Sequence, residues 1–258
     1  MHKLYINIAV QGKDTMATKK LVSIVIPAHN EELTIKDVLS DIKKETKKLR
    51  RYDFELIVVD NNSTDKTAKI ASSMGVVVIK EKKKGKGHAL VAGFNYGKGD
   101  YFVMLDADYS HRAEDLGSFL KYLDKGYGLV IGSRSLGGSD EYDVVRWFGN
   151  IFLTFCTRNL LGFPFTDALN GYKAFNSDIA KHTHFHASNF EIEIELCASA
   201  IKKGYDIKEF PSHERARAGG EMKSFAPIHG TKFLLKIIEE GVKVRFHKVN
   251  TIIKRKKK

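Results

Sequence analysis

The feature that most limits what this chain can become is an alternation of short Val- and Ile-rich runs with longer stretches of helical period. Such a rhythm builds βαβ units, because each parallel strand must return through a crossover helix before the next one forms. Strands are expected at Leu21 to Ile26, Phe54 to Val59, Val76 to Lys80, Tyr101 to Leu105 and Leu129 to Ile131. Helices are expected between them, over about Thr34 to Lys48, Asp65 to Met74, His88 to Tyr96 and Ala113 to Asp124. The strand runs are apolar throughout rather than alternating in polarity, the pattern of strands covered by helices on both faces. The prediction is an α/β fold: one domain around a mostly parallel sheet.

Beyond Gly132 the rhythm changes, with helices expected over Val144 to Leu161, Phe190 to Lys203 and Ile228 to Val242, and a short strand over Ile207 to Phe210. No linker or repeat divides the 258 residues, a length that suits one domain with appended elements. The expected organisation is a flexible extension over residues 1–20, with Met16 as the natural start, a main domain over 21–226, and an amphipathic helix with a basic tail over 227–258. No apolar run approaches the ~20 residues of a spanning helix, and no secretory signal is recognisable. Cys156 and Cys197 are the only cysteines; two thiols inside helical segments make no disulfide framework, so a cytoplasmic location is the default.

The 43 Lys and Arg exceed the 31 Asp and Glu, for a net charge of +12, and the closing "KRKKK" supplies five of the positive charges. Anionic partners follow: nucleotides, an anionic membrane surface, or nucleic acid. The tail taken alone reads equally well as a solvated end.

In open α/β sheets the loops at the carboxyl ends of the strands converge on one crevice. Here those loops read "PAHNEE", "DNNSTD", "KKKGKGHA", "DADYSH" and "GSR", which brings Asp60, Asp106, Asp108, Arg134 and several lysines, Lys86 among them, to one pocket. Asp106 and Asp108 are one residue apart, a spacing that lets both carboxylates reach one hard cation whose shell is completed by water and substrate phosphates. A D-x-D triplet alone is common in surface loops; its place after a buried strand is what singles it out. His111 is either a further ligand or a hydrogen-bonding residue. The glycine-containing loop opens a helix, so free amides near Gly87 and the lysines beside it are expected to receive phosphate oxygens, although neither a P-loop nor a dinucleotide fingerprint is present. A plain surface turn is the alternative. Ser63 equally suits a helix cap.

Two further clusters invite chemistry. Glu191, Glu193 and Glu195 alternate as in a strand, yet the residues after them continue with helical period. They read mainly as capping and pairing groups, with a general base for a hydroxyl acceptor as the minor alternative. The "HTHFH" run, with His182, His184 and His186, lacks the fourth ligand a zinc site needs.

The segments "IVIPAHNEE", "LIVVDNNSTDKT", "GKGHALVAGF", "MLDADYSH", "VIGSRSLGG", "DALNGYKAF" and "KEFPSHERARAGGEMKS", taken in order, resemble glycosyltransferase family 2. The likeness runs from about Leu21 to Leu235 and is strongest to dolichol-phosphate mannose synthases and related polyprenyl-phosphate glycosyltransferases. It implies a GT-A catalytic domain in which Pro27, His29, Glu31, Asp60, Lys86, Gly87 and Ala107 line the nucleotide-sugar pocket. It also implies that Asp106 and Asp108 hold Mg2+ or Mn2+ against the diphosphate. Arg134 would face phosphate, and Arg146, Arg215, Arg217 and Lys223 would serve donor and acceptor phosphates. Three departures stand out: His29 replaces a common Tyr, "DNNS" replaces "DDNS" or "DDGS", and "GGEMKS" interrupts G-x-S-K.

The implied reaction is a metal-dependent, inverting transfer of a hexose, mannose first, from a nucleotide-diphospho-sugar to dolichyl or polyprenyl phosphate at the cytoplasmic face of a membrane. The Ile228 to Val242 helix and the basic tail are expected to meet the lipid surface, while Val144 to Leu161 is expected to pack on the sheet. One alternative within the family is a saccharide or other hydroxyl acceptor, for which no Q-x-x-R-W motif is visible. Another, of a different class, is a non-catalytic basic protein binding membrane or nucleic acid. Acids at the strand ends argue against that last reading, since they repel phosphate unless a cation intervenes, and nucleic acid is not expected as a partner.

Overall fold

From Val22 through Ile26 no side chain reaches solvent, because this segment forms the middle of the sheet and is covered on both faces. The computed structural model describes residues 18–141, 144–218 and 226–256. Among them lie seven strands: β1 Lys20–Ala28, β2 Tyr52–Asp60, β3 Val77–Lys80, β4 Tyr101–Met104, β5 Leu129–Ser133, β6 Lys173–Asn176 and β7 Ile207–Pro211. The helices among the described residues are α1 Ile35–Thr46, α2 Thr67–Ser73, α3 Lys86–Tyr96, α4 Leu116–Asp124, α5 Arg134–Gly137, α6 Val144–Thr157, α7 Ser177–Lys181, α8 Ile192–Lys202 and α9 Ala226–Lys256. The α/β architecture matches the expectation, and the strand order is β3-β2-β1-β4-β6-β5-β7.

The chain steps outward from β1 to β2 and β3, then crosses back to place β4 on the other side of β1, both neighbours parallel to it. That reversal opens a crevice beyond the carboxyl ends of β1 and β4, where an open α/β sheet receives its ligand. Alternate side chains of each strand serve opposite faces. Val25, Val59, Phe94, Phe102 and Phe175 belong to the layer shared with α3 and α8. Ile24, Ile26, Val58, Leu39 and Phe119 belong to the layer shared with α1 and α4.

Strand β6 was not anticipated. It runs antiparallel between β4 and β5, and only four residues, Lys173 to Asn176, carry it. Periodicity cannot announce so short a run beside glycine and asparagine; sheet pairing on both edges makes it a strand. Phe175 on β6 lies 5.2 Å from Phe94 edge-on and 6.2 Å from Phe102 nearly parallel.

Two helices depart from expectation. Helix α9 spans 31 residues, well past Val242, because lysine and arginine, good helix formers, recur to its end and no Gly or Pro follows Gly241. Helix α6 does not simply pack on the sheet. Leu153, Thr154 and Thr157 are buried, but Val144, Val145, Trp147, Phe148, Ile151, Phe152 and Phe155 are each at least 45% exposed. It packs against α9, whose Leu235, Ile238, Val242, Phe246 and Val249 are exposed as well. Among the described residues no helix is long and apolar enough to cross a membrane.

Phe175→Ala is expected to lower stability by about 3–5 kcal/mol, measured by denaturant unfolding, since the ring is wholly buried and wedges the unanticipated strand into the aromatic layer.

Candidate active site

Strand β4 delivers Met104 with no exposed surface, Leu105 nearly so, and then turns sharply. Tyr109 takes a left-handed φ of 69°, uncommon for a bulky residue. Asp108 holds that turn: its Oδ1 accepts from the Ser110 amide at 3.1 Å and from Ser110 Oγ at 2.6 Å. The Asp106 amide donates to His111 Nδ1 at 3.0 Å, and in that tautomer Nε2–H donates to Asn170 Oδ1 at 3.2 Å. His111 also stacks on Tyr172 with ring centres 4.8 Å apart. Both ring nitrogens are therefore engaged, and of its two expected roles His111 takes the hydrogen-bonding one.

Each acid of the pair faces a cation. Lys86 Nζ lies 2.6 Å from Asp106 Oδ1, and Arg217 Nη2 lies 2.7 Å from Asp108 Oδ2. Burial opposes ionisation of Asp106, but the charge of Lys86, aided by Arg217, prevails and holds its pKa down to about 2. The same balance seen from Lys86 has burial favouring the neutral amine and Asp106 with Glu193 overcoming it, so its pKa is raised. Gly171 makes this approach possible, since a Cβ there would fall 2.7 Å from Lys86 Nζ and 2.9 Å from Asp106 Oδ2.

Around the pair opens a cavity of about 420 Å³. Lys86, Asp106, Asp108, Arg134 and Arg217 line its polar end, while Val145, Trp147, Ile151, Leu153 and Phe233 line an apolar wall on α6 and α9. Arg146 lies on the same wall. An adjoining hollow of about 120 Å³ is lined by Pro27, His29, Glu31, Asn61, Ala107 and Phe190. Asp60 stands behind it, only 5% exposed, with its Oδ1 accepting from the Ser63 amide at 3.1 Å. Asn61 reaches the hollow instead: its side chain bonds the Glu81 and Lys83 carbonyls and the Gly85 amide, so it shapes the loop that delivers Lys86.

The glycine loop corrects one expectation. The Gly87 and His88 amides both donate to the Ser188 carbonyl, at 3.0 and 3.3 Å, so these amides at the start of α3 are not open to phosphate. A Cβ on Gly85 or Gly87 would lie 2.1 or 2.2 Å from a backbone oxygen of Ser188 or Ala187. These glycines serve close docking of two backbones, and Lys86 is what the loop presents to the cavity.

Arg134 grips Asp167 through Nε to Oδ2 at 2.7 Å and Nη2 to Oδ1 at 2.9 Å, with Glu214 Oε1 3.4 Å from Nη1. Burial works against both charges, yet the pair outweighs it, raising the Arg134 pKa and lowering that of Asp167. Arg215 packs over the Tyr109 ring at 5.0 Å and faces Asp41 and Glu114, outside the walls of the cavity. Lys223, with the "GGEMKS" departure, lies outside the described residues.

The acidic run is structural. Glu191 accepts from the Asn189 amide at 3.2 Å as α8 begins. Glu195 bonds the His186 and Ala187 amides and pairs with Lys236 of α9 at 2.9 Å. Glu193 pairs with Lys173 at 2.8 Å. Sequence reasoning assigned no role to Asp167, Asn170, Gly171 or Lys173, although the "DALNGYKAF" run had drawn notice; residue roles there depend on partners far away in the chain.

Among the described residues no group of three or more His, Cys, Asp or Glu is placed to hold a metal. Asp106 and Asp108 still fit Mg2+ or Mn2+, because two hard carboxylates beside a polar cavity match a cation that draws its remaining ligands from water and phosphate. The cations now on both acids show that the site calls for positive charge.

The D-x-D turn thus lies at the crevice where the sheet reverses between β1 and β4. The family model of Glycosyl transferase family 2 matches residues 23–183, and the chain belongs to that family. A dolichyl-phosphate hexose transferase of Haloferax volcanii is 30% identical over 77% of this chain and 84% of its own. A polyprenol monophosphomannose synthase of Mycolicibacterium smegmatis is 27% identical over 94% of this chain and 96% of its own. The fold is shared with glucosyl-3-phosphoglycerate synthase from Mycobacterium tuberculosis in complex with Mn2+, UDP and phosphoglyceric acid, with a TM-score of 0.68 and 23% identity over 86% of this chain and 78% of that one.

Because the pKa of Asp106 is lowered from 3.8 to about 2 by folding, its ion pair adds stability that is complete above about pH 4 and lost as pH falls through the folded value. Asp106→Asn is expected to flatten the acid limb of the stability profile between about pH 4 and 2, read by thermal unfolding across that range. An unchanged limb would show that Lys86 does not sense this carboxylate.

Proposed function

We propose that the chain moves a hexose, mannose first, from a nucleotide-diphospho-sugar to dolichyl or polyprenyl phosphate, with Mg2+ or Mn2+ held by Asp106 and Asp108. One observation carries this reading: a single cavity joins a charged end to an apolar wall, and that wall continues into the exposed face of α6 and α9. A phosphate headgroup on a long hydrocarbon needs both ends. A saccharide or phosphoglycerate acceptor leaves the apolar wall without a purpose. The names of the relatives in Haloferax and Mycolicibacterium point the same way.

The proposed chemistry asks little of a general base. A lipid phosphate monoester is already largely ionised at neutral pH, its second pKa being about 6, and the glutamates of α8 are tied into pairs. The acceptor oxygen attacks the anomeric carbon in line with the departing diphosphate, inverting the configuration, and fixed geometry supplies much of the acceleration. A bound cation would offset the charge that develops on the leaving group. Arg217 and Lys86 stand at the same end of the cavity as preorganised donors, with Arg134 held in place by Asp167. Arg146, on the cavity wall, and Lys223 complete the phosphate-binding set in this reading, and residues 21–226 carry the catalysis.

Such an acceptor must be met at a bilayer, here by a peripheral protein. The exposed aromatic side chains of α6 suit the interface, and the net charge of +12 with its basic tail suits anionic lipid.

Labelled GDP-mannose, UDP-glucose and UDP-N-acetylglucosamine, each offered with dolichyl phosphate, undecaprenyl phosphate or 3-phosphoglycerate, test the reaction. Label is expected in the organic phase with a lipid phosphate, and to vanish with chelator or in Asp106→Ala. Label appearing only on the water-soluble acceptor would overturn the lipid assignment.

Phe148→Asp with Phe155→Asp tests the surface independently. Each buried Phe contributes about 1.5–3 kcal/mol, so flotation with anionic vesicles is expected to fall at least ~10-fold while the melting temperature is unchanged. Undiminished flotation would remove α6 from the membrane contact.

A further inference from the structure

Four ionisable side chains form one line from β6 to the cavity: Lys173, Glu193, Lys86 and Asp106. Lys173 is wholly buried and anchored three ways, to Glu193 Oε2 at 2.8 Å, to the Ala168 carbonyl at 3.0 Å and to the Asn170 carbonyl. It has no freedom to move. Glu193 is 1% exposed, and its Oε1 is ion-paired to Lys86. Lys86 Nζ stands 3.1 Å from that oxygen and closer, at 2.6 Å, to Asp106 Oδ1. The ammonium is thus poised between two carboxylates.

The room for it is built. Gly171 leaves open the space beside Lys86 Nζ, Asp106 Oδ2 and Glu193 Oε1, and the Phe190 ring, 5.4 Å from Nζ, bounds another side. A divalent cation and an ammonium cannot crowd one carboxylate without strong repulsion at such distances. A cation reaching Asp106 therefore has to move Lys86. A buried ammonium with no other counter-ion resists leaving, because an unpaired buried charge is costly. Glu193 Oε1, already 3.1 Å from Nζ, keeps it paired.

We propose that Lys86, now bridging both acids, gives up Asp106 and is kept by Glu193 when the cation loads, and that Glu193, held still by Lys173, is the positioning residue that makes this exchange possible. This rests on the reading of Asp106 and Asp108 as the cation ligands. A glutamate that served only as counter-ion to Lys173, or only as distant negative charge, would affect cation binding whether or not Lys86 were present. Exchange makes the effect of Glu193 conditional on Lys86.

Binding of Mn2+ alone to the full chain, followed at one pH by the electron paramagnetic resonance signal of the free ion, needs neither donor nor turnover. Glu193→Gln is expected to weaken binding by roughly 10- to 100-fold, the usual effect of losing an outer partner of a metal site. Lys86→Met is expected to bind Mn2+ at least as tightly as the unaltered chain, since the competitor is gone. Adding Glu193→Gln to Lys86→Met is expected to change nothing further. The exchange is overturned if Glu193→Gln weakens binding by the same factor in both backgrounds, if it has no effect alone, or if Lys86→Met binds more weakly. Thermal melting checks that Glu193→Gln folds; should it not, Glu193→Asp, which draws the carboxylate back from Lys86, replaces it in both backgrounds with the same expected and overturning outcomes. Asp106→Ala separates the two levels: equal binding there and in the unaltered chain would reject the cation site, whereas lost binding there with additive effects elsewhere rejects only the exchange.

Discussion

A carboxylate at the mouth of a buried strand must be compensated, and the Lys86–Asp106 pair is the compensation around which this site is arranged. Its geometry reaches in three directions. Asn61 fixes the backbone of residues 81–85, so that α3 starts with Lys86 aimed at the cavity. The Ser188 carbonyl takes the first amides of α3 and locks the helix start onto the segment before α8. Gly171 keeps the meeting point clear. Removing any one of these supports would misplace the ammonium, and with it the charge state of the acid.

Strand β6 ties the site to the core. The segment leading into it presents Asn170, which orients His111 and through it the Asp106 amide, and the strand's first residue, Lys173, fixes Glu193. Its inner end presents Phe175 to the aromatic layer. The four residues that carry the strand thus connect hydrophobic packing with site electrostatics, which is why an antiparallel intruder stands in an otherwise parallel sheet. The Arg134–Asp167 grip plays the corresponding part on the next strand, bonding the end of β5 to the chain that leads into β6.

The second organising contrast is between the two ends of one cavity. At the sheet, polar groups are paired and largely buried; toward α6 and α9 the wall is apolar and open. A soluble chain exposes scattered hydrophobic residues as a matter of course, but a run of aromatic and branched side chains on one helix beside a charged pocket is a different feature. It joins the charged end of the cavity to an exposed apolar surface.

The alternation of apolar runs and helical stretches determined the fold class, the first five expected strands and the convergence of the loops that follow them, because those signals are local and repeat along the chain. The D-x-D pair was legible for the same reason: its meaning depends on the strand just before it. Tertiary structure alone decided that His111 braces rather than ligates, that the glycine loop spends its amides on Ser188, and that Glu193 faces Lys86 from 107 positions away in sequence. It also decided that α6 turns its apolar face outward, since an amphipathic stripe states only that a face will be covered or wetted, and not by what. Pairing of charges and choice of contact surface arise between segments remote in the chain, and no local pattern encodes them.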